Sequence, residues 1–271
     1  MPASTHDKRD AFRQLHQQGC FVLPNPWDVG SAKVLQHLGF KALASTSAGM
    51  AWAMGRADGA VSLDEVLLHL SSLAHATELP LNADFENAFA DAPDEVARNV
   101  GLAVDTGVAG LSVEDYTGHA DRGLYDFDLA VARVAAARGA IDRTQSGVLL
   151  TARSEGFIRG APDLEETIRR LKAFVAAGAD CLYAPGIREE AQVRAVVQAV
   201  SPKPVNLLSV GLPVATAADW GVRRISLGGA LAGVAYNHFM AAAKEIAEQG
   251  TFGALGQTPR GQPLNAIMSG A

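Results

Sequence analysis

The chain has 271 residues, of which 48% are hydrophobic and 27 are glycine, and its formal net charge is −6. This acidic balance leaves no basic surface of the kind that binds nucleic acid. No apolar run reaches the roughly 18 residues of a membrane-spanning helix, and the first residues lack the apolar core of a secretory signal. The two cysteines, Cys20 and Cys181, each open a predicted strand, which favours reduced thiols and a cytoplasmic protein.

The first half of the chain alternates predicted strands with predicted helices. A helix over about residues 8–18 comes first, with Phe12 and Leu15 on its apolar side. Strands are predicted at 21–25, 42–47, 81–86 and 111–115, and helices at 28–38, 62–76, around 96–104 and 126–141. Residues 48–59, which contain glycine, are predicted to form a loop.

The second half repeats this pattern. Strands are predicted at 147–155, 181–186, 204–209 and 224–229, and helices at about 164–175, 188–200, 213–220 and 229–248, before a mixed tail with a possible short helix. Eight strand–helix units in about 230 residues favour a parallel (β/α)8 barrel, a TIM barrel, as a single domain over residues 1–271. An open dinucleotide-binding sheet loses support because no Gly-x-Gly-x-x-Gly opens the first helix.

Polar residues cluster where the predicted strands end. In a barrel of this type the chemistry lies at the carboxyl ends of the strands. The residues found there are Asn25, Trp27, Asp28, Ser45, Thr46, Ser47, Asp84, Glu86, Glu114, Asp115, Arg153, Glu155, Pro185, Gly186, Asn206, Gly228 and Gly229.

Three of these acids predict a metal site. Asp84 and Glu86 share a face if the strand continues through both, and Glu114 would come from the neighbouring strand. Hard oxygen donors of this kind suit Mg²⁺. The alternative is that strand-end acids only face solvent or cap the following helices. Arg153 could grip an anionic substrate through its planar fork, or it could form an internal ion pair with Glu155.

The ordered set of strand-end motifs resembles the isocitrate lyase/phosphoenolpyruvate mutase superfamily over roughly residues 10–240. The motifs are Asn25-Pro-Trp27-Asp28, Ser45-Thr-Ser-Ala-Gly49, Asp84-x-Glu86, Val113-Glu114-Asp115 and Thr151-Ala-Arg153. The resemblance implies a (β/α)8 barrel whose eighth helix is exchanged between the subunits of a homodimer or homotetramer. The exchanged helix and tail would span about residues 229–271.

The resemblance also implies roles for individual residues. A small-molecule carboxylate would bind on Mg²⁺, with Mn²⁺ as a possible substitute, and a C–C or P–C bond beside it would be made or broken through an enolate-like intermediate. The implied metal site comprises Asp84, Glu86 and Asp58, with Glu114 as an acidic partner. The implied substrate contacts are Arg153, Trp27, Ser45, Ser47, Gly49 and Asn206.

The loop after the fourth strand departs from the known members. Lyases of the family carry Lys-Lys-Cys-Gly-His there, with the cysteine as general acid, and phosphonate-cleaving or phosphonate-forming members use a Lys and an Asn. Here the loop reads Tyr116-Thr-Gly-His119-Ala-Asp-Arg122-Gly, which leaves Tyr116 and His119 as the available proton donors, although a loop histidine such as His119 more often has no catalytic role. Glycines usual after the second metal acid are replaced by Asn87-Ala-Phe89.

Four hypotheses follow. The leading one is a Mg²⁺-dependent lyase that cleaves a C–C bond next to a 2-oxo or 2-hydroxy carboxylate, such as an oxaloacetate-like or methylisocitrate-like acid. The second is P–C chemistry of the phosphoenolpyruvate mutase or phosphonopyruvate hydrolase type. A phosphonate needs more positive charge than Arg153 supplies, so this hypothesis depends on the side chain of Arg122 turning into the site. The third is a non-catalytic metabolite-binding barrel, and the fourth is a barrel whose acids bind no metal.

Overall fold

The computed structural model describes residues 3–209, 211–256 and 264–269. Its sheet has eight parallel strands in the order β1-β8-β7-β6-β5-β4-β3-β2, so strands that follow one another in the sequence are paired, except β1 and β2, and β8 pairs with β1. The strands are β1 (Phe21–Leu23), β2 (Leu43–Ala44), β3 (Leu81–Asp84), β4 (Gly110–Glu114), β5 (Leu149–Arg153), β6 (Cys181–Tyr183), β7 (Val205–Leu208) and β8 (Arg224–Ser226). The predicted (β/α)8 barrel is confirmed.

The barrel is closed between β1 and β2 by a thin seam. β2 has only two residues, and one backbone hydrogen bond, from Ala44 N to the Pro24 carbonyl oxygen at 3.0 Å, bridges the two strands. Neighbouring strands are therefore hydrogen-bonded all the way round the barrel, and the contact between β1 and β2 has the fewest hydrogen bonds.

Helices cover the outside of the barrel. They are α1 (Thr5–Leu15), α2 (Val29–His37), α3 (Ser47–Ala53), α4 (Leu63–Ala76), α5 (Pro93–Asp105), α6 (Phe127–Thr144), α7 (Leu164–Ala176), α8 (Glu190–Val200), α9 (Val214–Asp219), α10 (Ala230–Gln249), α11 (Gly253–Gly256) and α12 (Leu264–Ser269). The short helix expected in the tail is α12, while the rest of the predicted tail falls partly on residues 257–263 and 270–271, outside the described residues.

The loop predicted for residues 48–59 is wrong in its first part, because α3 begins at Ser47. Thr46 caps this helix by accepting a hydrogen bond from Gly49 N at 3.3 Å. Gly49, read as a loop signal, is instead a packing residue: a Cβ there would come within 2.9 Å of Trp27 Cβ. Glycine lets α3 approach the β1–α2 loop closely, and tertiary packing outweighs its low helix propensity.

The amino end of the barrel is closed by α1. Phe12 is fully buried against the sheet, and His16 lies one turn further along the helix. His16 Nδ1 is 2.7 Å from the Phe12 carbonyl oxygen, and His16 Nε2 is 3.3 Å from Nη1 of the buried Arg224. Because a guanidinium only donates, Nε2 must accept, which fixes a neutral imidazole with its proton on Nδ1. Burial and the charge of Arg224 lower the pKa of His16 to about 3.

Both cysteines are free thiols, with Cys181 buried and Cys20 half-buried. Among the described residues, no helix has the length and apolarity needed to cross a membrane.

The neutral state of His16 predicts a pH dependence of stability. The pKa of His16 in the folded protein lies below its ordinary value of 6.5, so the unfolded chain binds more protons between the two values and stability falls as pH drops from 6.5 towards 3. Urea unfolding at pH 7 and pH 5 should show the wild type losing up to about 2 kcal/mol more than His16→Gln, at about 1.4 kcal/mol per pH unit. Equal losses in the two proteins would show that His16 does not titrate on unfolding.

Candidate active site

One polar cavity of about 360 Å³ opens at the carboxyl ends of the strands. Most of its lining is polar, and the strands and the loops that follow them supply it. Its ionisable lining consists of Asp58, Asp84, Glu86, Glu114, Glu155, Tyr116, Tyr183, Arg153, Arg159 and Arg224.

Arg153, the last residue of β5, lies between carboxylates from three neighbouring strand ends. Its Nη1 is 2.6 Å from Asp84 Oδ1, its Nη2 is 3.2 Å from Glu114 Oε2, and its Nε donates to Glu155 Oε1 at 2.9 Å. Although burial opposes its charge, the carboxylates of Glu155, Glu114 and Asp84 raise the pKa of Arg153. The internal ion pair with Glu155 is therefore present together with contacts to the predicted metal acids.

The serine segment after β2 holds Asp84 in place. Ser45 Oγ accepts a hydrogen bond from Asp84 N at 2.8 Å, and Ser47 N donates to Asp84 Oδ2 at 3.1 Å. Ser45 is itself fixed by Asn25, whose side-chain amide donates to the Ser45 carbonyl oxygen at 2.8 Å. Ser45 and Ser47 both line the cavity, as predicted for the substrate segment, and both also position the carboxylate of Asp84.

Glu86 lines the cavity although it lies beyond the end of β3, so the alternation of side chains along a strand does not explain its orientation. β3 ends at Asp84, and Glu86 has a left-handed φ of 46°, followed by Ala88 at 58° and Phe89 at 54°. Such φ values are costly for residues other than glycine, so the surrounding structure must impose them. The expectation that Asp84 and Glu86 share a strand face is wrong, although both line the cavity.

Arg133 of α6 imposes this backbone path. Its side chain is 1% exposed and donates to the carbonyl oxygens of Asn87, Ala90 and Asp91, the last at 2.8 Å. Its guanidinium also stacks over the Tyr125 ring at 3.9 Å. A buried cation thus satisfies carbonyls that the tight loop turns inward, which explains how the chain dispenses with the usual glycines.

The cavity holds an excess of acidic groups. Burial, reinforced by the charges of Asp84 and Asp58, raises the pKa of Glu86 to about 7. Burial also raises the pKa of Glu114 well above its usual range, and Glu155 and Asp84 add to the effect while Arg153 opposes it. Five carboxyl groups face three guanidinium groups in the lining, so with all five ionised the set would carry two excess negative charges, which one divalent cation would balance.

The donor set fits Mg²⁺ if water completes its shell. Within the described ranges, no group of three or more His, Cys, Asp or Glu residues is close enough to hold an ion directly. Mg²⁺ usually binds through one or two carboxylates and keeps several waters. Asp84 and Glu86, with the exposed Asp58 at the mouth, would be sufficient on that basis.

Other predicted residues lie elsewhere or are already engaged. Trp27, Gly49 and His119 are absent from the cavity lining, and His119 is exposed on the loop after β4. Asn206 lines the cavity, but its amide donates to Ser226 Oγ at 2.9 Å and accepts from Arg224 Nε at 2.7 Å. The roles predicted for Trp27, Gly49 and His119 remain predictions, and these residues do not line the cavity. The substrate role predicted for Asn206 also remains a prediction, and its amide already makes two hydrogen bonds inside the barrel.

A second mouth arginine does exist, but it is Arg159 rather than Arg122. Arg122 Nη2 pairs with Asp91 Oδ2 at 2.9 Å, half-exposed and outside the cavity lining. Arg159, in the loop between β5 and α7, lines the cavity and stacks over Tyr116 at 3.9 Å. Sequence reasoning missed Arg159 because it belongs to no motif, although it is the one arginine between the end of β5 and the start of α7.

Comparisons with known proteins point to one group of enzymes. The profile of the phosphoenolpyruvate phosphomutase family matches residues 12–247. An oxaloacetate decarboxylase of Paraburkholderia xenovorans is 30% identical over 219 residues, which are 78% of this chain and 71% of that protein.

Solved structures give the same result. A candidate lyase or mutase from Burkholderia cenocepacia superposes with a TM-score of 0.92 at 43% identity, covering 96% of this chain and 95% of that chain. Oxaloacetate acetylhydrolase, in complex with its product oxalate, superposes with a TM-score of 0.87 at 27% identity, covering 99% of this chain and 95% of that one.

The loop that presents Glu86 predicts a large effect of Arg133→Met. The substitution keeps bulk in the core but leaves the inward carbonyls of Asn87 and Asp91 without their Arg133 donor. We expect the free energy of unfolding to fall by about 2–4 kcal/mol in urea titrations. Arg143→Met, at an exposed position of the same helix, should change it by less than about 0.5 kcal/mol. Similar losses in both variants would mean that the Arg133 contacts do not stabilise the loop.

Proposed function

Because the chain belongs to the isocitrate lyase/phosphoenolpyruvate mutase superfamily, we propose that it is a divalent-metal-dependent lyase. Its substrate is a short 2-oxo or 2-hydroxy acid with a second carboxylate, and an oxaloacetate-like acid is the first candidate. The bond cleaved is the C–C bond beside the 2-oxo or 2-hydroxy carboxylate unit. The observation that carries the proposal is the placement of Arg153 among Asp84, Glu114 and Glu155 in the polar cavity.

Asp84 and Glu86 are the residues that would hold Mg²⁺ or Mn²⁺, with Asp58 close to its water shell. When bound, the cation supplies Lewis-acid polarisation of the substrate's 2-oxo group. Asp84 is already oriented for this task, because Ser47 N and Ser45 Oγ fix its carboxylate and its backbone.

Arg153 stabilises negative charge as it develops on the substrate. Its raised pKa keeps the guanidinium charged, so it acts as a fixed electrostatic partner and does not transfer a proton. Such preorganised charge is a large contribution to catalysis. The planar guanidinium of Arg153 also orients the substrate carboxylate, so the bond to be cleaved is held in one orientation.

The loop after β4 favours a leaving group that departs without a proton. Decarboxylation releases CO₂ as the leaving group, and the proton is needed afterwards, at the carbon that retains the electron pair. Tyr116 lines the cavity and has a hydroxyl for that step, while the thiols of Cys20 and Cys181 lie at the amino ends of their strands. For oxaloacetate the balanced reaction is oxaloacetate plus a proton giving pyruvate and CO₂.

We propose in addition that a second copy of the chain covers α10. This helix buries only Ala232, and it exposes 56% of Val234, 69% of Phe239 and 55% of Met240. An exposed apolar face of this kind is typical of an interaction surface. The eighth helix of a barrel should pack on its outer wall, whereas here α12 packs against α2. Exchange of α10 between two copies would bury both apolar faces in one symmetric contact.

The function is tested by a substrate panel with product identification. Oxaloacetate, methylisocitrate, isocitrate and phosphonopyruvate are incubated with Mg²⁺ or with EDTA, and products are identified by NMR. We expect pyruvate and CO₂ from oxaloacetate with Mg²⁺ only. Asp84→Asn should reduce turnover on the order of 100-fold or more, and Asp142→Asn, on the outer helix α6, should not. Oxalate and acetate from oxaloacetate would indicate a hydrolase, and phosphate or phosphoenolpyruvate from phosphonopyruvate would indicate P–C chemistry. Absence of turnover with every acid, together with intact folding, would contradict the lyase proposal.

The oligomer proposal predicts a change of mass when charge is placed on α10. Light scattering at micromolar concentration should give a dimer or tetramer for the wild type and a smaller species for Phe239→Asp with Met240→Asp, because two buried carboxylates oppose the contact. Leu68→Asp, at a residue of α4 that is 71% exposed, is the matched control and should keep the wild-type mass. A monomeric wild type would refute the exchange.

A further inference from the structure

Three arginines line the cavity, but their hydrogen-bonding groups are committed to different extents. Arg153 contacts three carboxylates, and Arg224 donates within the barrel to Asn206, Thr151 and Asn82. Arg159 differs from both. Its Nε is 3.4 Å from Glu155 Oε2 and its Nη2 is 3.6 Å from Glu114 Oε1, and no hydrogen bond from its guanidinium occurs within the described part of the chain.

Arg159 is nevertheless held at the cavity mouth. Its guanidinium lies 3.9 Å above the Tyr116 ring, a cation–π contact that fixes the plane of the fork without using its N–H groups. The side chain is 39% exposed, whereas that of Arg153 is 13% exposed. The two guanidiniums therefore lie at different depths of one cavity, the inner one occupied and the outer one available.

From this geometry we propose that Arg159 binds the distal anionic group of the substrate and sets specificity for acids that carry such a group beyond the inner site. The proposal rests on the proposed function, in which the first carboxylate binds in the inner site with Arg153 and Asp84. The distal group, a carboxylate or a phosphonate, meets the free fork of Arg159, which matches either group in two hydrogen bonds. Monocarboxylates of the same inner chemistry lack this contact and bind more weakly.

The competing interpretation is that Arg159 only offsets the charge of Glu114 and Glu155. In that case its loss would affect every anionic ligand equally, because it would act through the general field of the cavity. A positioning role for the distal group acts only on ligands that have one. The distinction is therefore made by comparing two ligands on the same variants.

The experiment measures calorimetric affinities in the presence of Mg²⁺ for oxalate, which fits the inner site alone, and for 3,3-difluorooxaloacetate, which adds the distal carboxylate. Proteins are the wild type, Arg159→Ala, Arg159→Lys and, as the matched control, Arg122→Ala. We expect Arg159→Ala to weaken the longer ligand by at least about tenfold and oxalate by less than about threefold. Arg159→Lys keeps the charge but loses the fork, so its affinity for the longer ligand should be intermediate. Arg122→Ala should bind both ligands like the wild type.

Two results would overturn the proposal, and they differ in what else they affect. Equal changes for the two ligands in Arg159→Ala, or no change for either, would refute the role of Arg159 while leaving the lyase proposal intact. A wild-type protein that binds neither ligand with Mg²⁺ would refute both.

Discussion

The interaction on which the site depends is the buried arrangement of Arg153 with Asp84, Glu114 and Glu155. Each partner comes from the end of a different strand or the residue just beyond it, so the closed barrel is what brings them together. Removing one member of such a group leaves the others buried without compensation, which is far more costly than an exposed ion pair would suggest.

The loop after β3, which contains Glu86, has a strained backbone that places an acid in the cavity. Glu86 faces the cavity because Glu86, Ala88 and Phe89 adopt left-handed backbone conformations, and these persist because Arg133 binds the carbonyls that turn inward. Asn99 adds a hydrogen bond to the Ala88 carbonyl oxygen at 2.9 Å. Helices α5 and α6 therefore do more than cover the sheet. They hold a backbone path that local sequence preference opposes, which is the usual situation at functional sites.

Periodicity and strand-end residues predicted the barrel, its strand order and most of the cavity lining, because these follow from local patterns and from the geometry of parallel strands. The same reasoning failed at α3, where Gly49 serves close packing against Trp27, and at Glu86, where tertiary contacts override strand alternation. Arg159 and Arg133 could not be singled out from the sequence. Their roles arise from neighbours such as Tyr116 and Asn87, which are distant in the chain and meet only after folding.

One buried arginine, Arg224, lies inside the barrel beneath the acidic cavity. Thr151 lies two residues before Arg153 on β5, so both point inward, and Arg224 donates to Thr151 Oγ1 at 3.0 Å. Arg224 therefore lies one layer beneath Arg153. Its hydrogen-bond partners among the described residues are neutral, and His16 stays uncharged, so no carboxylate compensates the Arg224 charge locally. That charge acts on its neighbours at the amino end, where burial and the charge together lower the pKa of His16. The cations that lower the pKa values of Glu86 and Glu114 in the cavity above, against the effect of burial, are Arg153 and Arg159, so the carboxyl end of the barrel balances its own acids with arginines of the β5 end and the loop that follows it.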